Sequence, residues 1–283
     1  MADDVDRCAL PGPSRASGPH DPHGALVTAR PVRPWPDGDE ALDDVAVEEP
    51  LEIRVEGRPL AVTLRTPGHD LDLAAGFLFT EGVVDGADDL QALAHVATDR
   101  GGNVVDAVLA GGVAAHLEAV ERAARDLYAT SACGICGKAS IDRVRLKAPP
   151  LPRRHAPDPA LLVSLPDRLR AAQPGFQRTG GLHAAGLFTF DGDLEVARED
   201  IGRHNAVDKV LGWRLRADRV PVDDRILVVS SRAGFEIVQK ARMAGVPAVA
   251  ACGAASSLAV DLARESGVAL YGFVGPRRCV RYA

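Results

Sequence analysis

Arg225-Ile226-Leu227-Val228-Val229, Val246-Pro247-Ala248-Val249-Ala250-Ala251 and Val268-Ala269-Leu270-Tyr271-Gly272-Phe273 are three short apolar runs, and they decide the fold. Each is continuous rather than alternating, the pattern of a strand covered on both faces. Residues 235–244 and 256–265, which separate them, have the length and spacing of helices. Strand, helix, strand, helix, strand in that order predicts a parallel, helix-covered sheet, and hence a layered α/β core. Ser230-Ser231 follows the first run, and Gly253 with Ser256-Ser257 follows the second. Helix starts at the carboxyl edge of a parallel sheet are where anions bind. Neither a P-loop nor a convincing GxGxxG fingerprint is present, so the pattern fits a nucleotide-like ligand but gives no ground for ATP or NAD chemistry.

Upstream, residues 184–190 and 194–197 flank Asp191-Gly192-Asp193 and predict a hairpin. Asp200 is placed as the cap of a helix carrying His204, Val207, Asp208, Val210 and Leu211. Residues 161–172 read as a short helix. Pro149, Pro150, Pro152, Pro157 and Pro159 mark a boundary near 150–160.

In the N-terminal half, Leu51-Glu52-Ile53-Arg54-Val55 alternates like a strand, Gly57 and Pro59 turn the chain, and Leu60 to Leu64 returns it. Thr66-Pro67 is read as the start of a helix with Asp70 and Asp72 in its early turns, and Gly82 as its stop. A hairpin covered by a helix is therefore expected as an N-terminal subdomain. A strand over 103–109 and a helix over 113–127 follow. Residues 1–44, rich in Pro, Gly and Asp, are expected to be a mobile extension. Residues 45–155 then form the N-terminal portion with a mobile cysteine loop, and 156–283 the α/β core and cofactor-binding portion of the same unit.

The chain has 283 residues, 46% of them hydrophobic, enough for a sizeable core. Cys8, Cys133, Cys136, Cys252 and Cys279 are odd in number and sparse, which points to a reducing interior rather than a disulfide framework. The acidic start Met1-Ala2-Asp3-Asp4-Val5-Asp6 lacks the features of a secretory signal, and no run reaches the roughly 18 apolar residues of a membrane span. A soluble, cytoplasmic protein is expected. A net charge of -6 argues against a general nucleic-acid binder. Arg143, Arg145, Lys147, Arg153 and Arg154 still make a local basic segment, either a solvated face or a site for an anion or an acidic protein.

The chemistry begins at Ser131-Ala132-Cys133-Gly134-Ile135-Cys136-Gly137. Two thiols separated by two residues approach each other if the loop bends, and the glycines relax the limits on that bend. Either thiolate could attack sulfur, hold a persulfide or exchange with a disulfide. A structural zinc site needs about four ligands, and no second paired-cysteine motif supplies the other two. No metal site is expected. A second cluster combines Arg178-Thr179-Gly180-Gly181-Leu182-His183 with Glu199-Asp200-Ile201-Gly202-Arg203-His204-Asn205-Ala206-Val207-Asp208-Lys209. Spaced four apart, His204 and Asp208 could share a helical face, so that the carboxylate orients the imidazole. Arg203 and Lys209 suit a phosphate or another anion. A capped helix with surface ion pairs is the competing reading.

These motifs together resemble the FdhD family of formate dehydrogenase accessory sulfurtransferases. The similarity extends over Arg65-Thr66-Pro67-Gly68 to Phe77, Ser230-Ser231-Arg232 to Lys240, and Ser256-Ser257 to Gly272-Phe273, and covers nearly everything after about residue 45. The resemblance implies a cytoplasmic, homodimeric maturation factor with a core like the cytidine-deaminase fold. It implies that Cys133 and Cys136 receive persulfide sulfur from a cysteine desulfurase and pass it to a molybdenum or tungsten bis-pterin guanine dinucleotide cofactor for formate dehydrogenase. Cys136 is at least as suited as Cys133 to carry the sulfur. Gly180, Gly181, His183, Arg203, His204, Asn205, Lys209 and Ser231 are the expected cofactor contacts, with Arg203 and Lys209 answering the pyrophosphates. Glu199 and Asp200 are expected to position these groups. The full deaminase signature is missing. Ala251-Cys252-Gly253-Ala254-Ala255-Ser256 departs from the family's Ala-Pro-Thr wording, and Cys252 is read as a small packed thiol. Two other classes could use the same features: a thiol-disulfide oxidoreductase, and a cofactor chaperone that performs no sulfur transfer.

Overall fold

The computed structural model describes residues 26–97, 103–124, 151 and 156–283. It opens with an antiparallel hairpin, β1 (Val27–Val32) and β2 (Ala41–Ala46). Next come β3 (Glu49–Val55), β4 (Arg58–Arg65), α1 (Asp70–Thr80), β5 (Leu90–His95), β6 (Val104–Leu109) and the single turn α2 (Gly112–Ala115). Four of these strands form a sheet in the order β4-β3-β6-β5.

The remaining elements are α3 (Pro159–Ala171), α4 (Pro174–Thr179), β7 (His183–Phe188), β8 (Leu194–Asp200), α5 (Arg203–Arg216), β9 (Ile226–Val229), α6 (Phe235–Met243), β10 (Ala248–Ala251), α7 (Ser257–Ser266), β11 (Ala269–Gly275) and β12 (Arg278–Arg281). They build a six-stranded sheet ordered β12-β11-β10-β9-β7-β8, with β9, β10 and β11 parallel and the flanking pairs antiparallel. Successive side chains of a strand face opposite ways, and the core divides accordingly. Leu187, Leu227, Val229, Val249 and Leu270 face the layer of α1, α5, α6 and α7, which Leu51, Ile53, Val105 and Ala107 of the smaller sheet cover from beyond. Phe188, Ile226, Val228, Ala248 and Ala250 face Leu162, Leu165 and Leu169 of α3 on the other side. The strand-helix alternation predicted for residues 225–273 is therefore present, and its runs are continuous because both faces are buried.

Helices α1 and α5 meet backbone to backbone. An added Cβ on Gly212 would lie 2.4 Å from the Gly76 amide nitrogen and would overlap the Asp72 carbonyl oxygen, while one on Gly76 would overlap the Asp208 carbonyl oxygen. Only hydrogen fits at either position. Charged pairs flank the crossing: Lys240 Nζ lies 2.9 Å from Asp208 Oδ2 and Thr80 Oγ1 donates to Asp208 Oδ1 at 2.8 Å. Asp72 receives Arg198 and Arg216. Burial pushes Asp208 upward against the pull of Lys240, whereas for Lys240 the carboxylates of Asp208 and Glu81 outweigh burial and hold its ammonium protonated.

Several sequence expectations change here. Residues 27–44, read as part of a mobile extension, belong to the β1–β2 hairpin, which packs on α4 and is tied to it by Arg178 and Asp44 at 2.9 Å. Residues 1–25 lie outside the described residues. The N-terminal hairpin and helix are not a self-contained unit: α1 is buried on nearly every side and belongs to the central helical layer, while β6 pairs with β3. Thr66 does not cap α1, which starts at Asp70 behind a left-handed His69, because the Thr66 hydroxyl accepts from the Ile201 amide. The helix expected over 113–127 is interrupted at His116, whose ring nitrogens lie 3.1 Å from the carbonyls of Val83 and Ala110.

Gly212→Ala is expected to lose at least about 3 kcal/mol in denaturant unfolding, because backbone rather than a mobile side chain must yield. Gly86→Ala, where no atom lies within 4 Å and the backbone is extended, is expected to stay within about 0.5 kcal/mol of the parent.

Candidate functional site at the carboxyl edge of the large sheet

Because β7 runs antiparallel to β9, the start of one lies beside the end of the other. Ser230 donates its amide to the Ala184 carbonyl at 3.0 Å, and the Ala184 amide donates to Ser230 Oγ at 2.9 Å. His183 stands opposite Asp200 across the β7–β8 pairing. The loops after β9 and β10 run side by side, through Gly253 N to Ser231 O at 3.1 Å and Ala233 N to Ala254 O at 3.0 Å. Phe273 N donates to Gly253 O at 2.9 Å and brings in the end of β11. One sheet edge thus gathers Gly180 to His183, Asp200 to His204, Ser230 to Glu236, Gly253 and Phe273.

Asp200 sits at the base of this edge and is fully buried. Its Oδ2 lies 2.7 Å from Lys209 Nζ and accepts from the Thr66 amide, and its Oδ1 accepts from the Gly202 amide and from Asn205 Nδ2. Lys209 Nζ also donates to the carbonyls of Thr66 at 2.8 Å and Glu199 at 3.3 Å. Burial pulls the Lys209 ammonium downward and the Asp200 carboxylate pushes back. Asn205 reaches the Leu64 carbonyl and Thr63 Oγ1. The Glu199 carboxylate is not aimed at a ligand either: it accepts from the amides of Gly175 and Phe176 at 2.8 and 2.7 Å, at the start of α4. Burial raises its pKa, against those two amides.

Above this base lies a more accessible group. Arg203 and His204 open α5, and His204 Nε2 lies 2.7 Å from Glu236 Oε2 on the first turn of α6. Arg203 Nε lies 3.3 Å from the same nitrogen. One ring N–H cannot both donate and accept, so the shorter contact identifies Glu236 as its partner. The hydrogen bond from His204 lowers the Glu236 pKa despite burial, assisted by the positive charges of Lys240 and Arg203. Desolvation, then Arg203 and His204, lower the pKa of His183, which favours its neutral form. The edge therefore offers the guanidinium groups of Arg203 and Arg232, the His183 imidazole and an imidazole held by a carboxylate. It can bind an anion and hydrogen-bond polar ring edges. Among the described residues no group of three His, Cys, Asp or Glu side chains is arranged to hold a metal. Nor is any helix among them long and apolar enough to cross a membrane.

Residues 46–283 match the FdhD/NarQ family. The chain is 54% identical over 244 residues to "Sulfur carrier protein FdhD" of Streptomyces avermitilis, covering 82% of this chain and 84% of that one. It is 48% identical over 272 residues to the protein of the same name from Anaeromyxobacter dehalogenans, covering 93% of each. The chain belongs to the FdhD/NarQ family. A crystal structure from Desulfotalea psychrophila, described as that of a formate dehydrogenase accessory protein, superposes with a TM-score of 0.69 at 23% identity, over 91% of this chain and 96% of that one, and shares the fold.

Within this FdhD/NarQ chain the residues singled out from sequence separate by depth. Gly180, Gly181, His183, Arg203 and His204 lie at the open edge, with Gly180 ending α4 in a left-handed conformation at φ 65°. Ser231 is at the same edge but mostly buried, its hydroxyl donating to the Arg232 carbonyl at 3.1 Å. Lys209 is different: its ammonium is enclosed and divided among Asp200, Thr66 and Glu199, so the pyrophosphate role expected for it is not open to it. Asn205 likewise spends its amide on Leu64, Thr63 and Asp200. Asp208 does not orient His204; it faces Lys240, and Glu236 takes its place. Asp200 does not cap α5 through its own position, because Gly202 is the N-cap. Cys133 and Cys136 lie outside the described residues. Cys252 is half-buried near Arg170, and burial pushes its thiol upward against that guanidinium, which disfavours the reactive thiolate.

Sequence reasoning missed Glu236, thirty-odd positions from its imidazole and distinguishable only as an acid in a helix's first turn. It also missed Phe273 and Arg278. Phe273 takes a strained φ of 52° beside Gly253, and the Arg278 guanidinium lies 3.9 Å over its ring. The signal was the Gly275-Pro276 turn carrying Arg277 and Arg278.

In an NMR titration His183 is expected to have a midpoint below the ordinary histidine value of 6.5, and Arg203→Ala is expected to raise it, because a neighbouring cation disfavours the protonated ring. Lys209→Met is expected to cost about 3–5 kcal/mol in chemical unfolding, since Asp200 is left buried without its counter-charge.

Proposed function

We propose that this chain is a sulfur carrier for formate dehydrogenase maturation, taking persulfide sulfur from a cysteine desulfurase and delivering it to a molybdenum or tungsten bis-pterin guanine dinucleotide. The observation that carries this reading is the identity of about half the residues with sulfur carrier proteins named FdhD across most of the chain. The description of the Desulfotalea psychrophila neighbour as a formate dehydrogenase accessory protein gives it the dehydrogenase as client.

The chemistry balances without an oxidant. A thiolate of Cys133 or Cys136 attacks the outer sulfur of the donor's persulfide, a new S–S bond forms, the donor's S–S bond breaks, and the donor cysteine leaves as its thiolate. The carrier then holds one transferable sulfur. The cofactor is cargo, held at the carboxyl edge of the large sheet. Arg203 answers a pyrophosphate, and the start of α6, whose N-cap Gly234 brings no capping side chain, offers amides to the same anion. Neutral His183 and the glycine turn at Gly180-Gly181 suit the polar edge of a base or pterin. The same reading makes the protein a cytoplasmic homodimer that exchanges sulfur in a reducing setting.

Incubation with a cysteine desulfurase and cysteine is expected to add the mass of one sulfur atom to the chain, and loss of both Cys133 and Cys136 to abolish the adduct. Labelled sulfur is then expected to reach a sulfur-deficient formate dehydrogenase and restore its activity. Activation by the variant without both thiols would instead make the protein a cofactor chaperone. Arg203→Ala is expected to weaken guanine nucleotide binding by about tenfold or more, while leaving thermal unfolding unchanged.

A further inference from the structure

We propose that Glu236 is a positioning residue: it fixes the ring orientation and tautomer of His204 at the ligand edge. This rests on the reading of His204 as part of the delivery site. Glu236 Oε2 and His204 Nε2 are 2.7 Å apart, and the two side chains keep 50% and 32% of their surface exposed, so the pair belongs to the open edge rather than to the buried base.

The pair is not needed to hold its helices together. α5 and α6 are already joined in the interior by Lys240 and Asp208 at 2.9 Å, with Thr80 and Glu81 completing the set. An exposed ion pair adds only about 0–1 kcal/mol to stability. What it does change is the imidazole. With Nε2 committed to a carboxylate, the neutral ring is held as the Nε2–H tautomer, leaving Nδ1 as the acceptor. Among the described residues Nδ1 makes no hydrogen bond. The groups facing the pair are Arg203 on α5, Lys240 behind it on α6 and neutral His183 at the start of β7. The hydrogen bond from His204, supported by the charges of Lys240 and Arg203, favours the ionised form of Glu236. A carboxylate at one ring nitrogen fixes which nitrogen of an imidazole carries the proton and holds the ring in one orientation.

The test uses the full chain with labelled histidine. In long-range proton–nitrogen spectra, at a pH where the ring is neutral, His204 is expected to show predominantly the Nε2–H form. Glu236→Ala is expected to give mixed tautomers, and Glu236→Gln, whose amide oxygen still accepts, to retain the parent pattern. In the sulfur-delivery assay His204→Ala and Glu236→Ala are each expected to lose about tenfold or more, with Glu236→Gln losing markedly less. Mixed tautomers in the parent would overturn the inference, and that measurement needs no variant to fold. So would full delivery by Glu236→Ala where His204→Ala is impaired, an outcome that leaves the sulfur-carrier reading standing. Full delivery by both variants would remove His204 from the site and the inference with it, while the thiol adduct tests the carrier role separately.

Discussion

The buried carboxylate of Asp200 is the point on which the rest of the molecule depends. Through one oxygen it holds the Lys209 ammonium and the Thr66 amide, and through the other the turn at Gly202 and the Asn205 side chain. Strand β4 and the loop into α1 come from the N-terminal part of the chain; β8 and α5 come from the C-terminal part. Asp200 is where they are locked. A buried pair of this kind contributes little net free energy compared with apolar packing, but misplacing one partner costs about 3–5 kcal/mol. The register between the two parts is therefore narrow, and the glycines at 76 and 212 let the helices close far enough to reach it.

This has a direct consequence for the functional edge. Arg203 and His204 follow Asp200 after a two-residue turn, and His183 faces it across the β7–β8 ladder. Fixing Asp200 fixes all three. Glu199 does the same for the glycine turn, because its carboxylate anchors the start of α4 and α4 ends at Gly180. One short sequence stretch thus serves two purposes, with its buried acids and lysine assembling the scaffold and its cation and imidazole left at the surface. Motif similarity alone does not separate those purposes. Depth does.

A cavity of about 390 Å³ lies elsewhere, at the amino ends of β10 and β11, lined by Phe190, Arg264 and Arg281 among others. At the opposite, carboxyl edge the loops after β9 and β10 run side by side, held by backbone hydrogen bonds, where a parallel sheet ordinarily receives its ligands.

Sequence by itself determined the parallel core, because continuous apolar runs such as Ile226 to Val229 have one physical explanation, burial on both faces, and because alternating helices leave one way to connect them. It also singled out the 180–183 and 199–209 stretches, which the β7–β8 pairing brings side by side. It misread residues 27–44, where prolines and acids conceal a hairpin whose support comes from α4, and it treated α1 as the cover of a small unit when that helix is buried on nearly every side in the central layer. Only the tertiary structure decided which charges are used up and which remain available. Lys209 and Arg203 look alike as cations in a motif, yet one is enclosed by Asp200, Thr66 and Glu199 and the other stands at the sheet edge, since burial depends on the folding of distant segments such as Thr66, 143 positions away, onto the motif.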